Sequence, residues 1–361
     1  LKDGQSDLPI GSVVMSTGEI ITCNFVSKAI EAVEAKDAIL DDDGNVTVEA
    51  VEAKDAVPVT TTNVPNKEYF TLVKDQLPDF PEGQILVEPM QRNTAASIAL
   101  ASYKIQKLNP NAKVLISPSD QLIFNEKLFF EAIDKAMEGA SSLGKLITIG
   151  IKPNRPDTDF GYIQFFPETG QPVKKVKTFS EKPDLDLAIT FIESGDFVWN
   201  TGTFVWKNES IIQAFGKYLP DMAEVFEEGE VYFCTDKEAE FLIKAYSFIR
   251  NISIDNGIFE KSNEVFVVLG EFGWTDLGSW QNLYEVSEKD QENNSVKGQA
   301  MLYETSNCFI SVPPRKLVVV QGLKDYLISD SEDVLLICKL DANSKYKEYI
   351  SDARKIDESY T

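Results

Sequence analysis

The sequence runs to 361 residues with 43% hydrophobic content, and its formal net charge is −23; that length can bury one large domain and a smaller one, and that charge argues against nucleic acid, whose phosphates require clustered Lys and Arg. Histidine is absent, which excludes Ser-His-Asp and Cys-His catalysis and His-ligated zinc and leaves carboxylates, lysines, backbone amides and Mg2+ as the available chemistry. No apolar run approaches the roughly 18–20 residues needed to span a bilayer, so no membrane partner is expected.

The first residues, LKDGQSDLP, have neither the basic nor the apolar region of a signal peptide and lack an initiator Met, so the chain reads as a fragment. Residues 1–62 then differ from everything after them. The octapeptide EAVEAKDA occurs at 31–38 and again at 49–56, and DDDGN between the copies reads as a turn joining short β-prone runs. With twelve acids against four bases and a single aromatic, Phe25, the stretch reads as a solvated repetitive segment or a small β-rich appendage.

From about residue 64 the pattern becomes α/β. ILVE (85–88) predicts a short buried strand, and TAASIALASYKIQKL (94–108) a helix opened by a Thr cap. KVLISPSD (113–120) predicts a strand ending in a polar turn, residues 125–141 a helix capped by Asn125, and KLITIGI (145–151) another strand. Strands alternating with helices of this length imply crossover connections and a parallel, doubly wound sheet. Between 161 and 271 the alternation is less regular, and after about 294 short strands joined by turns predict a small β-domain ending in a helix. The four cysteines, Cys23, Cys234, Cys308 and Cys338, show no C-x-x-C spacing and read as reduced thiols of a cytoplasmic protein.

Several short stretches concentrate polar groups in apolar settings. FGWTDLGSW (272–280) sets Asp276 between tryptophans and glycines, and Asp120 ends the strand of SPSD. Either alone reads as a cap or turn residue. Two acids from distant segments are what one Mg2+ requires together with substrate phosphates. EPMQRNT (88–94) carries Glu88, Arg92, Asn93 and Thr94 where a strand meets a helix, a junction whose amides favour anions. FSEKP (179–183) places Glu181 and Lys182 before a rigid proline, and WNTG (199–202) places Asn200 beside a glycine, an arrangement suited to a sugar hydroxyl or to a bulged core strand.

The set VEPMQRNTAASIALAS, SPSD, GIKPNRPDTDFGYIQ, FSEKPDLDLA, WNTGTFVW, SIDNGIFEKS and FGWTDLGSW, in this order over residues 64–345, resembles the bacterial mannose-1-phosphate guanylyltransferases. The resemblance implies a Rossmann-like nucleotidyltransferase domain with a mixed, mainly parallel sheet over residues 63–293, and a small left-handed β-helix-like domain over 294–361. It implies transfer of GMP from GTP to mannose 1-phosphate, giving GDP-mannose and pyrophosphate. Asp120 and Asp276 would hold Mg2+, and Glu88, Arg92, Asn93 and Thr94 would line the nucleotide side. Gly161, Glu181, Lys182, Asn200 and Asp255 would surround mannose 1-phosphate, with Lys182 facing its phosphate as a catalytic cation. Domains of short strands also supply homodimer contacts.

One departure is large. The family begins with a Gly-rich loop containing Arg, followed by a Pro-Lys pair, and residues 1–62 hold no G-x-G cluster, no arginine and no Pro-Lys pair. The acidic segment is then foreign sequence, or a replacement in a catalytically silent nucleotide-sugar-binding paralogue, or the loop comes from another chain. Loss of the first βαβ unit would also expose a sheet edge. A smaller departure is Gln121, where many relatives carry His after the metal-binding Asp. Transfer of another nucleotide, or to another hexose 1-phosphate, is the remaining alternative.

Overall fold

The computed structural model describes residues 70–78, 85–167, 170–331, 333–341 and 343–357, together with short strands at 24–26, 39–40, 46–47 and 61–62. Both octapeptides, the DDDGN turn and Cys23 lie outside the described residues. The chain packs as two units, one comprising residues 1–119 and 123–273, the other residues 120–122 and 274–361.

In chain order the elements begin with β1 (Asn24–Val26), β2 (Ile39–Leu40), β3 (Val46–Thr47), β4 (Thr61–Thr62), α1 (Phe70–Gln76), α2 (Asn93–Leu108), β5 (Lys113–Ser117) and β6 (Gln121–Ile123). They continue with α3 (Glu126–Leu143), β7 (Leu146–Ile151), β8 (Tyr162–Phe165), β9 (Val173–Ser180), α4 (Leu185–Ser194) and β10 (Phe197–Lys207). After α5 (Asn208–Tyr218), α6 (Pro220–Glu228), α7 (Glu238–Phe248) and a π-turn at Asp255–Phe259, β11 (Val265–Gly270) completes the first unit.

Local chemistry explains the principal elements. In α3 the Asn125 side chain accepts from Leu128 N at 3.1 Å, and Gly144 in the left-handed region ends the helix. Its buried residues, Ala132, Ile133, Ala136, Gly139 and Ala140, share one face at helical spacing. Helix α2 is buried continuously from Ala95 to Tyr103; its alanines favour the helix and let neighbouring elements approach closely. All six residues of β7 are buried, as expected for a strand covered on both faces. Residues 85–88 form no strand; Ile85 and Glu88 make isolated bridges only.

The large sheet has the order β4-β1-β5-β10-β7-β11-β9-β8. It is mixed, and the expectation that it is mainly parallel is overturned: among the described pairings only β7 with β11 is parallel, while β10 is antiparallel to β5, β7 and β8. One reason is an insertion. Strands β5 and β7 run in the same direction with α3 between them, as the alternation implied, but the later strand β10 enters the sheet between them in the opposite sense. The β5 edge is not open either, because β1 pairs with it through Asn24↔Ser117 and Phe25↔Ile116. The main core gathers Trp206, Phe204, Phe215, Phe226, Tyr246 and Phe259, with the Phe204 and Phe259 rings 4.4 Å apart.

The second unit contains β12 (Trp274–Asp276), α8 (Trp280–Val286), β13 (Ser295–Lys297), β14 (Gln299–Tyr303), β15 (Phe309–Ser311), β16 (Leu317–Gln321), β17 (Tyr326–Asp330), β18 (Leu335–Lys339) and α9 (Asn343–Ile356). Strand β12 pairs with β6, which brings the segment after Asp120 alongside the segment ending in Asp276. Strands β13, β15 and β17 stack in parallel, as do β14 and β16, so successive turns of the chain lie over one another, and β18 adds antiparallel to β17. Cys308, Ile310, Val312, Val320 and Ile328 fill the interior. Gly298 makes the corner between β13 and β14 at φ 112, where a Cβ would overlap the Val312 carbonyl.

Candidate functional site

Within the second unit the expected acid pair is brought together. Pairing of β6 with β12 is continued by Leu277 N, which donates to the Asp120 carbonyl at 2.7 Å. Gly278 follows at once, and a Cβ placed on it would lie 3.2 Å from Asp276 Oδ2 and 3.9 Å from Asp120 Oδ2. Both carboxylates therefore border the space that this glycine leaves free. The other oxygen of Asp276, Oδ1, accepts from Asn282 Nδ2, so Oδ2 is the atom directed at that space. Burial pushes the Asp120 carboxyl above its usual range. Two carboxylates with one oxygen held back fit Mg2+, which takes one or two carboxylates and completes its shell with water and substrate phosphate. Among the described residues no group of three or more Asp, Glu or Cys side chains forms a complete protein cage for a metal.

Within the first unit a second constellation forms from four segments. Asn200 N donates to the Gly161 carbonyl at 2.8 Å. Its side-chain Oδ1 accepts from Thr148 Oγ1 at 3.1 Å and Gly202 N at 3.2 Å, and its Nδ2 donates to Asp255 Oδ1 at 3.0 Å. Two donors on Oδ1 fix which way the amide faces. The bulge that makes room for this lies in β10 between Asn200 and Phe204, with Gly202 at φ 71. Glu181 closes the group: a Cβ on Gly161 would stand 2.6 Å from Glu181 Oε2, so glycine is what lets that carboxylate come in.

The electrostatics are those of a crowded acidic cluster. Burial first, and then the charge of Asp255, pushes Glu181 up, while Lys182 pulls it down. Burial also raises Asp255, against the hydrogen bond from Asn200 and the charge of Lys182. Glu260 adds negative charge to both and accepts from Glu181 N at 3.3 Å. Lys182 is exposed and sits in the left-handed region at φ 42, a conformation a lysine adopts only at a cost in backbone strain. Asp255 opens the π-turn, and such turns occur disproportionately at functional positions. Gly161, Glu181, Lys182, Asn200 and Asp255 are thus gathered, joined by Thr148 and Glu260, which sequence reading did not single out.

The residues of EPMQRNT are arranged otherwise. Glu88 is buried, and its two oxygens accept from Ser97 Oγ at 2.8 Å and Tyr246 Oη at 2.9 Å; burial pushes its carboxyl up to about 7. Arg92 Nε donates to the Tyr246 carbonyl at 2.8 Å. Asn93, at φ 66, accepts from Thr94 N, and Ala95 N donates to the Ile252 carbonyl at 3.2 Å. Two amides at the start of α2 are therefore already engaged. Thr94 is not the cap of α2, which starts one residue earlier; its hydroxyl accepts from Ile254 N at 2.7 Å. Asn282, Thr148 and Tyr246 escaped sequence reading because each acts through a partner at least six residues away, with only the S-x-x-N spacing of Ser279 and Asn282 visible locally.

Comparison with known proteins adds the following. A family model described as Nucleotidyl transferase matches residues 28–293. A mannose-1-phosphate guanylyltransferase of Salmonella montevideo is 32% identical over 303 residues, 79% of this chain and 61% of that protein. The alginate biosynthesis protein AlgA of Pseudomonas aeruginosa is 30% identical over 80% of this chain and 60% of its own length. The chain spans about six-tenths of the length of such curated relatives. A crystal structure of mannose-1-phosphate geranyltransferase from Thermus thermophilus superposes with a TM-score of 0.70 at 26% identity, covering 81% of this chain and 83% of that one.

Proposed function

The chain belongs to the nucleotidyl transferase family, and we propose that it transfers GMP from GTP to mannose 1-phosphate, giving GDP-mannose and pyrophosphate. The observation that supports this reading best is the meeting of Glu181 and Asn200 beside Gly161, with Asp255 bound to the Asn200 amide, supported by relatives named for that reaction. Carboxylates and an oriented amide can accept from and donate to sugar hydroxyls, and Lys182 supplies the positive charge that a sugar phosphate requires. No histidine or other general base is needed, because a phosphate monoester with a second pKa near 6 is largely dianionic at neutral pH. One of its oxygens attacks the α-phosphorus of GTP, the bond to the β-phosphate breaks, and pyrophosphate leaves with the bonding electrons. The protein's task is to align these groups and exclude competing geometries.

In the same reading Asp120 and Asp276 hold Mg2+, which when bound offsets the charge that develops on the phosphates. Asn282 keeps Asp276 turned toward the metal. Glu88, Arg92 and Asn93 border the nucleotide, residues 63–293 form the transferase domain, and residues 294–361 coil as a left-handed β-helix-like domain that supports a homodimer. The setting is the cytoplasm; no helix among the described residues is long and apolar enough to cross a membrane.

Incubation of the chain with GTP, Mg2+ and mannose 1-phosphate, followed by chromatography of the nucleotides, tests the proposal. GDP-mannose should appear only with both substrates and fall by about a hundredfold or more in Asp276→Asn, the loss typical of removing a group that stabilises transition-state charge. Product from another hexose 1-phosphate alone would overturn the sugar assignment. Metal-independent binding of GDP-mannose without turnover would instead identify a silent nucleotide-sugar binder, the reading favoured by the absence of arginine and of a Gly-rich loop from residues 1–62.

A further inference from the structure

The start of α2 is joined by three hydrogen bonds to the entrance of the π-turn and by a fourth to α7. Arg92 Nε donates to the Tyr246 carbonyl, Ile252 N donates to the Arg92 carbonyl at 3.4 Å, Ala95 N donates to the Ile252 carbonyl, and Ile254 N donates to Thr94 Oγ1. The last is the shortest, at 2.7 Å, and the only one that depends on a side-chain oxygen in the helix. Ile254 is fully buried, so its amide has no water to turn to if that oxygen is removed. Asp255 is the next residue, and its carboxylate receives the Asn200 amide. Asn200 cannot compensate by turning over, since its oxygen is held by Thr148 and Gly202.

We propose that Thr94 is a positioning residue for the sugar-phosphate side of the site: its hydroxyl fixes Ile254 and thereby sets the Asp255 carboxylate against Asn200. This rests on reading the Gly161–Glu181–Asn200–Asp255 cluster as the sugar-phosphate side. It reassigns the threonine of QRNT from the nucleotide to the other substrate. The rigidity that makes Thr94 effective comes from α2, buried from Ala95 to Tyr103. The part it acts on is a single π-turn held at its ends by Gly257 N to the Ser253 carbonyl and Glu260 N to the Asp255 carbonyl, each 2.9 Å.

The test compares the full chain with Thr94→Val, which keeps shape and removes the acceptor, and Thr94→Ser, which keeps the acceptor. Calorimetry with mannose 1-phosphate and, separately, with Mg·GTP reads the two sides. Thr94→Val should weaken mannose 1-phosphate by about tenfold, the effect of one lost buried hydrogen bond, and leave GTP within about twofold, while Thr94→Ser restores the wild-type value. Equal losses for both ligands, or a loss confined to GTP, overturn the inference.

Amide hydrogen exchange separates this from the substrate assignment. If the wild-type chain binds no mannose 1-phosphate, the proposed substrate is wrong; the positioning role then stands or falls on whether Thr94→Val speeds exchange of the Asn200 side-chain amide, which donates to Asp255, as well as of the Ile254 N–H. Faster exchange at Ile254 alone refutes it. Should Thr94→Val fail to fold, the wild-type Ile254 amide still decides: exchange as fast as in an open loop would show that the threonine holds nothing.

Discussion

Gly161 marks the closest approach in the cluster, and replacing it isolates the geometry from the charge. In Gly161→Ala the new Cβ meets Glu181 Oε2 at 2.6 Å and has Asn200 Cβ behind it at 3.4 Å. The carboxylate, being the end of a flexible side chain, swings away. Stability should fall by no more than about 1 kcal/mol, whereas affinity for mannose 1-phosphate should fall about tenfold, read by thermal melting and calorimetry. Equal affinity in the two proteins would show that Glu181 is not a ligand. The charge is reached through pH. Burial, and then the charges of Asp255 and Glu260, push the Glu181 carboxyl up from its ordinary 4.5 to about 7, against the pull of Lys182. Between those values the folded chain keeps a proton that the unfolded chain has released, so this group's contribution is complete below 4.5 and disappears as pH rises through about 7. The melting temperature of Glu181→Gln should therefore decline less than that of the parent from about pH 5 to about 7.5; parallel profiles would remove the assigned shift. At Glu88, Tyr246→Phe deletes one of two donors to a buried carboxylate and should cost about 1–3 kcal/mol in urea unfolding. No change there would place Tyr246 outside the network.

Strand β10 decides how the site elements are assembled, and Gly202 is its sensitive point. At φ 71 an alanine in its place incurs about 1–2 kcal/mol of backbone strain, and relaxation of that strain moves the Gly202 N–H that orients Asn200. Gly202→Ala should accordingly lower both stability and mannose 1-phosphate binding, while a change at the far end of the same strand, such as Lys207→Gln at a half-buried position, should do neither. This strand also shows where sequence reading stops. The cap of α3 at Asn125, the existence of strand β7 and the succession of short strands after residue 294 depend on neighbours in sequence, and all three were legible there. The partners of FVWNTGTFVW depend on loop closure over about ninety residues, from β10 back to β5, and alternation of strands with helices carries no information about a later strand entering between two earlier ones. ILVE failed as a strand for a related reason: a short apolar run reports burial, which residues 85 and 86 have, but not pairing. The same distinction applies to the candidate residues. Asp120 with Asp276, and Gly161 with Asn200 and Asp255, were suggested by resemblance and are juxtaposed in the fold. The engagement of Thr94 with Ile254 lies 160 positions along the chain and had no local signature.

At the scale of the whole molecule the question is how the two anionic substrates proposed above would reach a chain with a net charge of −23. A field of that sign slows their approach at low ionic strength, because repulsion is screened only beyond the Debye length, about 10 Å at 0.1 M salt. Residues 1–62 contribute twelve acids and four bases to that charge. Raising the salt from about 20 to about 150 mM should therefore increase the association rate of a fluorescent GTP analogue several-fold, the reverse of what a phosphate cradle rich in arginine produces. Replacing Glu31, Glu34, Glu49 and Glu52 by Gln removes four negative charges without touching either acid cluster. That chain should associate faster than the parent at low salt and converge with it at high salt. If salt instead slows association in both proteins, local cations such as Arg92 and Lys182 govern the encounter. The acidic segment would then have no electrostatic effect on nucleotide entry.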